Sequence, residues 1–66
     1  MIRLPCENLT EFINSSKIFY RVSKGLHKVG QSVVLYNDGQ EATFKIMHML
    51  HFEHDEVLGL KLTGSV

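Results

Sequence analysis

Residues 31–46 read QSVVLYNDGQEATFKI, two β-prone runs on either side of Asn37-Asp38-Gly39. A tight antiparallel hairpin needs positive φ at its two central positions, and Asp-Gly adopts that backbone at low cost. With Asp38 and Gly39 as the two-residue turn, Leu35 faces Ala42 and Val33 faces Phe44. One face of the hairpin is then apolar, the condition under which register is strongly specified. The second strand continues through Ile46 to about Leu50. His51 to Glu56 reads as a longer turn, and Val57 to Thr63 returns with Leu58, Leu60 and Leu62 inward. The result is a three-stranded meander.

Towards the N-terminus, Ile18, Tyr20 and Val22 alternate with Phe19 and Arg21, which is the period of a strand. Ser23 to Gly30 carries two glycines among polar residues and reads as a connecting loop. Pro5 to Ser15 reads as a short helix. Leu9, Phe12 and Ile13 fall at helical spacing, Asn8 with Glu11 has the pattern of a capping box, and Asn14-Ser15-Ser16 ends the segment. So short a helix is unstable alone, and its apolar stripe must dock on a sheet. Arg3 to Pro5 offers a short first strand. The expected fold class is α+β, mainly β: a small curled antiparallel sheet, or partly closed barrel, with one short N-terminal helix.

The 66 residues allow one domain, residues 1–66, with a modest core and no internal repeat. The apolar content of 44% is ordinary for a globular chain and argues against disorder. Cys6 is the single cysteine, so no intramolecular disulfide forms. A lone cysteine fits a reducing compartment, and the expected location is cytoplasmic. Met1 to Leu4 lacks the apolar run of a signal peptide, and nothing approaches the ~20 apolar residues of a membrane span.

Formal charge is zero, but four of the seven basic residues (Lys17, Arg21, Lys24, Lys28) fall in one stretch without an acid. Glu53, Asp55 and Glu56 cluster near the other end. A neutral total removes the long-range field expected of a non-specific nucleic-acid binder, while leaving room for a local basic face.

The order helix, then Lys17-Ile-Phe-Tyr-Arg21, then a loop, then Lys28-Val-Gly-Gln-Ser-Val-Val-Leu35, a hairpin and a final strand resembles the ASCH domains of the PUA-like barrel superfamily. In that family a strand of the form Lys-Thr-x-x-x-Arg follows the helix, and a Val-Gly-Asp turn opens the next strand. The resemblance implies a PUA-like barrel that binds RNA or modified nucleosides; a few members hydrolyse acylated cytidine. The departures concern chemistry. With Arg21 at the arginine position, Ser16 stands for the lysine and Lys17 for the threonine. With Lys17 as the lysine, Ile18 replaces the threonine and Arg21 is one residue out of place. Neither alignment keeps the pair that supplies base and nucleophile, and Gln31 replaces the aspartate of the turn. The resemblance therefore implies the fold without the catalysis.

Three groups of residues are candidate sites. Lys17, Phe19 and Arg21 share one face of their strand, and an aromatic between two cations is a platform for a base and its phosphates. Lys24, His27 and Lys28 extend that surface. Alternation alone leaves open whether the helix covers this face or leaves it wet. His48, His51 and His54, followed by Asp55 and Glu56, invite a metal reading. The i, i+3, i+6 spacing suits neither a helical zinc motif nor one strand face, and no metal or other cofactor is expected. Cys6 lies near the helix start, where a dipole can lower a thiol pKa, but without an adjacent base it is expected to pack rather than react.

The expected function is a small non-catalytic binding module. It acts through a protein partner, in the manner of an inhibitor or accessory protein of a virus or mobile element. The contact residues are Lys17, Phe19, Arg21, Lys24 and Lys28. The alternatives are an RNA- or nucleoside-binding module and a minimal amidohydrolase of the ASCH type. Met47, Met49, Phe52 and Val57, where uncovered, invite self-association or a partner.

Overall fold

A computed structural model describes residues 2–15, 18–25 and 27–65. Five strands and one helix follow one another as β1 (Ile2–Pro5), α1 (Leu9–Asn14), β2 (Ile18–Ser23), β3 (Ser32–Asn37), β4 (Gln40–His51) and β5 (Asp55–Ser65). They form a single curled sheet, a half-barrel in the order β1-β3-β4-β5-β2. Every neighbouring pair is antiparallel except β1 with β3, which run parallel.

The β3–β4 hairpin closes on Asn37↔Gln40 and pairs Leu35 with Ala42 and Val33 with Phe44, the register expected from the turn. Asp38 has φ 41° and Gly39 φ 82°, so both central positions are left-handed, as a hairpin turn matched to the twist of its strands requires. Val33, Leu35, Ala42 and Phe44 are all fully buried. Leu58 and Leu60 of β5 join them, and Leu62 packs partly buried against the same cluster.

The helix is shorter than expected at its N-terminal end. Pro5 is the last residue of β1, paired with Tyr36, and the next residue, Cys6, donates its backbone N–H to the Tyr36 carbonyl at 2.9 Å. That pairing holds the segment extended, and the helix begins only at Leu9. Asn8 stands at the cap with φ −103° and ψ 36° but makes no side-chain cap bond, so the capping box is not formed. Leu9, 1% exposed, seats the helix on the sheet, with Phe12 and Ile13 packed beside it.

Two register shifts curl the sheet. On β4, Met47 is an extra residue between Ile46↔Leu60 and His48↔Gly59; on β5, Thr63 is extra between Phe44↔Leu62 and Thr43↔Gly64. Bulges of this kind bend the strand and increase its twist. The curl carries the edge strand β2 towards the opposite edge, where the Tyr20 hydroxyl donates to the Pro5 carbonyl. Phe12 meets the Tyr20 ring edge-on, with centroids 6.2 Å apart. The helix and this contact cover the inner face, and the outer face is left open. Among the described residues no helix is long and apolar enough to cross a membrane.

Gly39→Ala places a Cβ at positive φ on the turn that sets the register, and is expected to lower stability by about 1 kcal/mol. Urea denaturation measures it, and a change within error would show that the turn does not hold the hairpin.

Candidate functional site

Inner and outer faces alternate along each strand, so β2 directs Ile18, Tyr20 and Val22 inward and Phe19 and Arg21 outward. Phe19 is 63% exposed. The helix docks on the inner face, which leaves the wet side as the one carrying Phe19 and Arg21. Beside Phe19 in the register stands Gly59 of β5, and beside Gly59 stands His48 of β4. A side chain at 59 would bring its Cβ to 3.2 Å from the His48 Cβ, a contact that His48 could accept only by giving way a few tenths of an ångström. The missing side chain opens a groove of about 370 Å³ lined by Ile18, Phe19, Met47, His48, Gly59, Leu60 and Lys61.

Apolar residues continue from the groove towards the β4–β5 turn. Met47, Leu50 and Phe52 are 42%, 54% and 47% exposed, and Leu50 is paired with Val57. Met49, by contrast, packs against the core. The extra residue at Met47 shifts the alternation by one, so Met49 turns inward and His48 and Leu50 turn outward.

The charges on this face are set by pairing across strands. Arg21 donates to Asp55 at 2.6 Å and lies over the Phe52 ring at 5.6 Å. Lys24 donates to the Phe52 carbonyl at 3.0 Å. The basic stretch, acid-free in sequence, is thus partly neutralised in space. Lys28 is exposed and contributes its backbone N–H to Gln31 at 3.1 Å. Lys17 lies outside the described residues. At the other side of the sheet Arg3 pairs with Glu41 and covers the Tyr36 ring at 5.1 Å. Between these two closed groups, Lys45 and Lys61 stand directly opposite each other, exposed and without an acidic partner among the described residues. The pair is not evident in the sequence, because it depends on a β4–β5 register displaced by the extra residue at Met47.

The three C-terminal histidines diverge. His48 borders the groove, His51 turns to Glu56, and His54 projects at the turn beside Glu53 at 3.7 Å. Among the described residues no three His, Cys, Asp or Glu side chains are grouped to hold a metal ion. Cys6 is buried in the core, and burial pushes its thiol above the usual range, partly offset by a bond from the Asn8 backbone N–H.

Glu56, expected in a turn, is the second residue of β5 and 2% exposed. Its Oε1 accepts the Gly25 N–H at 3.1 Å, and its Oε2 lies 2.9 Å from Nδ1 of His51. Nδ1 of His27 is buried 3.6 Å from Oε1, without a hydrogen-bond partner among the described residues. The Gly25 amide, followed by the two imidazoles, holds the Glu56 carboxyl below the usual glutamate range against the opposing effect of burial. This carboxylate anchors the loop that carries Lys24 and Lys28 to the end of the sheet.

No family model matches this chain, nor does any curated protein or solved structure match it significantly.

Because the folded pKa of Glu56 lies below the ordinary value of 4.5, its stabilising contribution is complete above that value and is lost as pH falls through the lower, folded one. Glu56→Gln is expected to lower stability at pH 7 and to flatten the acid limb of a stability-versus-pH curve measured by chemical denaturation. An unchanged acid limb would place the pH dependence on other groups.

Proposed function

We propose that the chain is a small non-catalytic binding module that acts through protein–protein interaction, as an inhibitor or accessory protein does, with the outer face of β2, β5 and β4 as its contact surface. One observation carries this reading: Phe19 and Met47 are exposed at a groove on the outer face, and Leu50 and Phe52 are exposed between it and the β4–β5 turn. A contiguous exposed apolar patch of this kind, rimmed by polar residues, marks an interaction site on a soluble domain. Lys45 and Lys61 supply the rim and favour a partner with carboxylates at its edge.

A second reading rests on the exposed Phe19 ring beside Lys61, an arrangement on which a nucleobase can stack while a lysine meets its phosphate. The resemblance to ASCH domains favours the same ligand class. The zero net charge weighs against it, since affinity for nucleic acid rests chiefly on phosphate contacts.

Affinity capture with and without nuclease, using the parent and a Phe19→Ser, Lys61→Glu double variant checked for folding by circular dichroism, separates the readings. Capture of a protein that survives nuclease and falls on the order of tenfold or more in the variant is expected. Nuclease-sensitive capture would move the assignment to nucleic acid. Equal capture by the folded variant would remove this face as the site.

A further inference from the structure

We infer that a second copy of this chain is the resident occupant of the outer face, the two β4–β5 hairpins packing face to face and antiparallel about a twofold axis. The inference rests on the reading of this face as an interface and names what covers it before any other partner arrives.

The hairpin carries both halves of a self-complementary surface. At its tip are an apolar side chain, Phe52, and a carboxylate, Glu53, whose side chain is 87% exposed. Further down the same face are an apolar groove at Gly59 and Lys61 and Lys45, which have no acidic partner among the described residues. Phe52 is tied to the β5 end by its N–H on the Asp55 carbonyl at 2.9 Å. From Asp55 to Gly59 is four residues, about 13 Å at strand rise. The Leu50–Val57 pair lies between.

A twofold axis running across the strands at the level of Leu50 and Val57 exchanges tip and groove. It places Phe52 of each copy over the groove of the other and Glu53 beside the other copy's Lys61. Leu50 and Val57 then meet their own equivalents on the axis. The contact is isologous, so it closes at two copies and does not propagate into a filament. The same contact relieves the Lys45–Lys61 opposition, because like charges directly across a strand pair are destabilising until an anion joins them.

Sedimentation equilibrium over a dilution series, with the full chain at neutral pH, tests the arrangement. A mass of twice 7.6 kDa that falls to one chain on dilution is expected. Glu53→Lys and Lys61→Glu, each confirmed as folded by its circular dichroism melt, should each weaken dimerisation on the order of tenfold by juxtaposing like charges. The chain carrying both changes should regain most of the parent's affinity, since each contact is then restored with its signs exchanged. A parent that remains a single chain at its highest soluble concentration overturns the inference, as does assembly beyond two chains. A double variant no better than either single variant overturns it too. None of these results decides whether the face binds another protein, which the nuclease-controlled capture answers separately: a monomer whose Phe19 and Lys61 changes abolish capture keeps the interface and loses the dimer.

Discussion

The positive φ of Asp38 and Gly39 constrains everything that follows in the chain. With that turn in place Val33, Leu35, Ala42 and Phe44 share one face, and a slip of one residue would send all four to solvent. The buried face so created is where α1 docks through Leu9, and where Leu58 and Leu60 of β5 complete the core. One helix of six residues can cover only one side of a five-stranded sheet. The hairpin register therefore decides which residues are left in water as well as which are buried.

The bulge at Met47 decides how that open side is arranged. Up to Ile46 the even-numbered residues of β4 point inward; beyond it Met49 packs on the core and His51 meets the buried Glu56. The backbone fixes this point firmly, for Gly30 donates to the Ile46 carbonyl at 2.7 Å and Ile46 donates to Gln31 at 2.9 Å. Had the alternation continued, His48 and Leu50 would lie inside, and Glu56 would lose one imidazole. The same irregularity thus anchors the basic loop through Glu56 and turns His48 outward against Gly59, where the groove opens. Stability and surface shape share one cause.

Features written in adjacent residues were legible in the sequence. The tight turn, the inward leucines of β5 and the strand alternation of Ile18, Tyr20 and Val22 each follow from local chemistry and all hold in the structure. The helix starts later than its local pattern predicts because Pro5 and Cys6 have a competing use: they extend β1 against Tyr36, a contact some thirty residues away that no local signal announces. The candidate face was legible only in part. Phe19 and Arg21 could be assigned to one side by period, yet the acid that pairs with Arg21 comes from β5, and the lysines that remain unpaired come from β4 and β5. Such groupings depend on cross-strand register, and between the β4–β5 turn and the lysines the register passes through the Met47 bulge, which composition and period do not encode. Glu56 was hidden for the same reason, since a glutamate beside Glu53 and Asp55 reads as one more solvated acid until the fold surrounds it with Gly25, His27 and His51.

The opposed lysines bear on why the open face is not simply a weak point of a small fold. On either side of this pair Arg3 meets Glu41 and Arg21 meets Asp55. Each of those pairs contributes little to stability at the surface, but each also silences a charge. Between them, among the described residues, Lys45 and Lys61 have no acidic partner near exposed Phe19 and Met47, an arrangement that costs the isolated chain through repulsion and exposed apolar area alike. The two penalties vanish together when an occupant brings an apolar side chain and a carboxylate to the same place. A fold with so small a core has little stability to spare, and both penalties fall on one patch of it.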